Sequence, residues 1–153
     1  YFYHPAIVTN LLTVLAISGI FSGLLFGFLV KRAKNLTLTI MLSFMTLGSM
    51  IFSFSNNIVL FILGAVLIGI SFVGAMSFNF FYISNKLENK FINFSTSIML
   101  VGGNIGVILT PIILTKLPEA LHLEKFLTPF YVTTLAMLIC TVISYFSLKD
   151  NNN

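Results

Sequence analysis

The chain has 153 residues, 58% of them hydrophobic and only 8% charged, against roughly 25% charged in soluble domains. This composition leaves no room for a large soluble domain. The net charge of +4 would suggest nucleic acid in a soluble protein, but here the basic residues sit beside the ends of apolar blocks, so they read as a topology signal and no nucleic-acid partner is expected.

All twelve charged residues fall in the gaps and tail around five apolar blocks, 6–30, 36–54, 58–84, 94–115 and 128–148. Each block is close to or above the roughly 20 residues that cross a ~30 Å hydrocarbon core as a helix. They are too long for transmembrane strands of about 10 residues and lack polar/apolar alternation. The expected fold is therefore all-α: a polytopic membrane bundle of five transmembrane helices in one domain, with the lipid bilayer as its solvent.

The first block is preceded by Tyr1-Phe2-Tyr3-His4-Pro5, with no initiator Met, basic n-region or cleavage site, and its basic residues lie at its far end, the wrong polarity for a signal peptide. An upstream segment is expected, which makes this chain a fragment of a larger membrane protein. Gly19, Gly23 and Gly27 recur every four residues and line one side of the helix, where a neighbour can approach closely. Asn10 and Thr13 form a polar pair near the start of this helix.

The uncharged stretch 35–85 is too long for one span, and the polar cluster 53–57 is the expected tight turn that divides it. In the third block Gly64, Gly69 and Gly74 step by five residues, a drift around the helix that suits loose or shifting contacts. Ser71 lies near mid-depth in this block. Asn79 and Tyr82 are three residues apart and so share a face. They fit either the lining of a vestibule or the edge of an aromatic belt with Phe78, Phe80 and Phe81.

The fourth block is the densest in special residues: Gly102-Gly103-Asn104-Ile105-Gly106, then Pro111. Gly102 and Gly106 make a small-xxx-small packing pair, and Pro111 removes one backbone donor. Asn104 falls near mid-span, where its amide needs partners that lipid cannot supply. It is either interhelical glue or a solute contact, and the rule that polar groups at membrane depth are functional candidates keeps the second reading open. In the fifth block the lone Cys140 can form no intrachain disulfide and is expected to serve in packing.

No Asp, Glu, Lys, Arg or His lies within a span, so the chain offers no proton relay of its own. His4 and His122 are far apart in sequence; neither a metal site nor a cofactor is expected. An enzyme is not expected either, because no catalytic cluster is present. With five spans the termini lie on opposite sides. Lys31, Arg32, Lys34, Lys86, Lys90 and Lys149 collect on one side and only Lys116 and Lys125 on the other, which puts the first set in the cytoplasm, the amino end outside and the carboxyl end inside.

The stretch Gly23-Leu24-Leu25-Phe26-Gly27-Phe28-Leu29-Val30-Lys31-Arg32-Ala33-Lys34 resembles the cytoplasmic loop motif of the major facilitator superfamily. Gly23, Leu25, Lys31 and Arg32 match it; Gly27 stands at the motif's Asp and Phe28 at the Arg that follows. This is similar to the decayed copy in the second half of such transporters. The order of loop lengths over nearly the whole chain looks like the eighth to twelfth helices of a twelve-helix facilitator.

The resemblance implies a secondary transporter of small organic molecules, with export as one direction it allows, that rocks two halves about a central site. In that picture Asn104, Asn79, Tyr82 and Ser71 contact the small-molecule solute, Lys31 and Arg32 belong to the cytoplasmic latch, and the N-terminal half of the same transporter is the missing partner. The expected location is the plasma membrane. The alternative is a non-transporting membrane subunit or scaffold that docks other helices through its glycine stripes. An incomplete bundle is also expected to leave cavity-facing surfaces uncovered.

Overall fold

A computed structural model describes residues 5–54, 57–120 and 128–149. Every regular element among them is helical: α1 (Pro5–Ala33), α2 (Thr37–Phe54), α3 (Ile58–Lys86), α4 (Asn89–Ala120) and α5 (Thr128–Lys149), with one 3-10 turn, Lys34–Leu36, between α1 and α2. All five are long and apolar enough to cross a membrane. The five-span expectation therefore holds, and the helices extend beyond several of the apolar blocks because a helix does not stop where its hydrocarbon-spanning part stops. The extension is largest in α4, which runs through both Pro111 and Pro118.

The short connections are built by identifiable chemistry. Lys34 takes a left-handed backbone, φ 47°, which turns the chain sharply between α1 and α2 at the cost a side-chain-bearing residue incurs there. The Thr37 hydroxyl donates to the Lys34 carbonyl at 2.7 Å and ties the turn to the start of α2. At the other end, the Asn57 side chain accepts from the Val59 amide at 3.0 Å and caps α3. The turn is shorter than 53–57: Ser53 is still helical and buried, its hydroxyl donating to the Ser49 carbonyl at 3.0 Å and lying 3.3 Å from the Thr134 hydroxyl.

α3 is the centre of the bundle, with α1 on one side and α2 on another, while α5 packs on the far side of α2. Its three glycines explain how. A Cβ at Gly64 would stand 2.6 Å from the Phe52 ring and 3.2 Å from the Gly48 carbonyl of α2. One at Gly69 would overlap the Leu15 carbonyl and Ser18 hydroxyl of α1, and one at Gly74 would overlap Met41 of α2 while meeting Ser22 of α1 at 3.1 Å. Five residues advance about 140° around a helix, so the drift that reads as looseness in the sequence serves two fixed neighbours instead. Gly19 and Gly48 complete the close approach from the opposing helices, where an added Cβ would stand 2.7 Å from Val73 and from Ile68 respectively.

The α2–α5 contact is fastened differently. Thr39 and Ser144 hydroxyls lie 3.0 Å apart, Thr46 and Thr141 3.1 Å, and Ser53 and Thr134 3.3 Å, a three-rung ladder between antiparallel helices. In the Thr46–Thr141 and Ser53–Thr134 rungs all four hydroxyls are also within bonding distance of the carbonyl four residues earlier in their own helix, a common way of satisfying hydroxyls at membrane depth. Each hydroxyl has one proton, so these two rungs compete with the own-helix bonds, and among the described residues only Thr39 and Ser144 bridge without that competition. Cys140, expected in packing, is instead exposed on α5, one residue off the face that carries Thr141 to α2.

Candidate functional site

Helix positions and hydrogen bonding divide the polar residues of the spans into two groups. Most hydroxyls are taken up by the fold, while Ser77, Ser95 and Thr96 make no side-chain hydrogen bond among the described residues. Ser71 is fully buried and donates to the Met41 carbonyl of α2; Ser22 donates to the Ile70 carbonyl of α3 at 2.7 Å. Thr13 donates to Thr9 within α1. No buried side-chain nitrogen or oxygen among the described residues lacks a partner.

The carboxamides Asn10, Asn79 and Asn104 behave oppositely. Asn10 and Asn104 are exposed and Asn79 is half-buried, and none takes part in a hydrogen bond among the described residues. A carboxamide offers two donors and an acceptor, which in an apolar span must be met by another helix, water or a solute. Asn10 also borders a cleft of about 150 Å³ between α1 and α3, with Leu11, Val14, Ile58 and Ile62.

Asn104 sits on the least covered helix. Every side chain from Val101 to Ile113 is exposed, and α4 touches α3 and α5 only sparsely. A Cβ at Gly102, Gly103 or Gly106 would meet no atom within 4 Å. Pro111 is exposed on the same helix, where the Thr110 hydroxyl donates to the Gly106 carbonyl at 2.7 Å one turn before the missing proline donor.

On α3, Tyr82 is half-buried and its ring stacks on buried Phe78, with centroids 6.0 Å apart; Phe78 also meets Phe81, and Phe81 meets Phe26 of α1 edge-on at 6.2 Å. Asn79 and Tyr82 thus border an aromatic cluster at the α1–α3 contact. No hydrogen bond among the described residues joins them to Asn104 or to Ser71. Along the loop-motif stretch, a Cβ at Gly23 would meet Val73 at 3.6 Å, one at Gly27 would enter open space, and Leu25, Lys31 and Arg32 are exposed.

Sequence reasoning does not single out the hydroxyl ladder. Its signal is the seven-residue spacing of Thr39, Thr46 and Ser53 in α2, which returns each hydroxyl to the same face. No group of three or more His, Cys, Asp or Glu among the described residues is placed to hold a metal ion.

An all-helical bundle of five membrane-spanning helices, with most hydroxyls bonded within it and three carboxamides unbonded among the described residues, defines a polytopic membrane protein. The sequence profile of the Major Facilitator Superfamily matches residues 3–152. The chain belongs to that superfamily of membrane transporters. No curated protein and no solved structure matches it.

Proposed function

We propose that the chain forms most of the second half of a secondary transporter that moves small organic molecules, in the outward direction, by alternating access. The observation that carries this reading is the set Asn10, Asn79 and Asn104, three carboxamides in apolar helices with no hydrogen-bond partner among the described residues. Helix packing alone would leave such groups bonded to a neighbour, as it does for Ser71 and Ser22. Asn104 on exposed α4 is the leading solute contact, with Asn79 and Tyr82 nearer the basic end of the bundle. A first half of the same transporter covers α4 and supplies any carboxylate, histidine or basic group at membrane depth, since the spans hold none.

The protein sits in the plasma membrane with its amino end outside and Lys31, Arg32 and Lys86 in the cytoplasm, the distribution the positive-inside rule favours. Lys31 and Arg32 act in the cytoplasmic latch. Gly102 and Gly106 admit the close approach of the first half.

The decisive experiment is solute flux through the full-length protein carrying Asn104→Leu. Loss of about one solute hydrogen bond should lower flux about tenfold at unchanged expression; unchanged flux would reassign Asn104 to packing. A cysteine placed beside Lys86 should react with a membrane-impermeant reagent only after the cytoplasmic face is opened. Labelling in intact cells would reverse the orientation.

A further inference from the structure

We propose that the basic end of the bundle binds the phosphate headgroup of an anionic phospholipid. α1 and α3 run parallel in a nearly constant register: Gly69 lies against Leu15, Gly19 against Val73 and Phe26 against Phe81. Five residues beyond the last pair, about 7.5 Å further along both helices, stand Lys31 and Lys86, with Arg32 beside the first. The antiparallel α2–α5 register, set by Thr39 against Ser144, carries the same logic to Lys34 and to Lys149, the last residue of α5. The 3-10 turn that contains Lys34 touches both α1 and α5. Two independent helix pairs therefore bring Lys31, Arg32, Lys34 and Lys86 to one level of the bundle, the level at which α5 also ends.

These charges are not neutralised within the described fold. Lys31, Arg32, Lys34 and Lys86 are exposed and none is ion-paired among the described residues. Glu88, the described carboxylate at this end, is taken by Lys90 at 2.8 Å. Asp150 lies outside the described residues. One to two turns toward the membrane from the cations, Leu24 and Phe28 are 77% and 64% exposed, and Phe80 and Phe81 are exposed on α3. Clustered cations above an apolar, outward-facing surface suit a ligand with an anionic phosphate and acyl chains better than a soluble anion. Each Lys or Arg at such a surface strengthens attraction to anionic lipid.

The test measures binding of phosphatidylglycerol and of phosphatidylcholine to the detergent-solubilised protein by native mass spectrometry. Phosphatidylglycerol should bind more tightly, and the preference should weaken with added salt as exposed charges are screened. Lys34→Asn, which suits the left-handed turn, and Lys86→Gln should each weaken phosphatidylglycerol binding about fivefold. Lys86→Arg should retain it, which separates charge from folding, and Lys116→Gln, in the last turns of α4, should change nothing. Equal binding of the two lipids, an equal loss from Lys116→Gln, or displacement of the lipid by inorganic phosphate at equal concentration would each overturn the proposal. Solute flux does not enter this test, so its outcome is independent of the transport reading.

Discussion

α3 and α4 are apolar helices of 29 and 32 residues, both carrying three glycines, yet one is the axis of the bundle and the other stands at its margin. In α3 the glycines step by five residues and each is pressed against a neighbour. In α4 Gly102 and Gly106 have the four-residue spacing that reads as a packing seam, and no atom among the described residues occupies the space beside them. Glycine spacing thus reports where a neighbour is permitted. Whether one arrives depends on which helices are available, because lipid provides no force that distinguishes an exposed apolar helix from a buried one.

Matched leucine substitutions in the two helices should have very different consequences. Gly69→Leu places a side chain against the Leu15 backbone, which cannot swing aside as a side chain can, and should destabilise the bundle by about 3 kcal/mol or more. Unfolding in mixed micelles would read this as a large drop in the midpoint. Equal tolerance of Gly69→Leu and Gly102→Leu would remove the distinction between the two helices.

A smaller effect is expected at Ser71, whose hydroxyl bonds to the Met41 carbonyl between α2 and α3. Ser71→Ala should cost about 1 kcal/mol in the same assay. A loss of solute flux that exceeds the loss of folded protein would instead assign Ser71 a place in the pathway.

The hydroxyl ladder sharpens the picture further. A double-mutant cycle over Thr46→Val and Thr141→Val isolates one rung at 3.1 Å, and its coupling should be about 0.6 kcal/mol, the average for such bonds in membranes. Zero coupling would make the ladder a by-product of each hydroxyl bonding to its own helix. The smallest effect belongs to Gly102→Leu, which should change stability of this chain by less than about 0.5 kcal/mol, since its side chain enters open space.

Much of the architecture is legible in the amino-acid sequence. Four long uncharged stretches follow from where the twelve charges fall, because a charge inside hydrocarbon is too costly to be placed casually, and the polar cluster 53–57 divides the longest of them into two spans. Helix ends are less legible: Ser53 reads as turn because it is polar, but its hydroxyl is satisfied inside α2 and against α5, so the helix continues through it. Ser71 reads as a polar group at mid-depth and is in fact enclosed in a helix contact. A serine can satisfy itself with one backbone carbonyl nearby, whereas Asn104 needs several partners and has none among the described residues.

The amino-acid sequence alone establishes that this protein lives in a bilayer, how many times its helices can cross it, and that no Asp, Glu, Lys, Arg or His lies within the spans. Those properties depend on transfer of each segment from water, which is set by composition and length. Only the tertiary structure decided that Gly64, Gly69 and Gly74 serve two neighbours, that α2 and α5 are joined by hydroxyls, and that α4 is left open. Those outcomes depend on which helix faces meet, and the close contacts that select one arrangement are made between residues up to 105 positions apart.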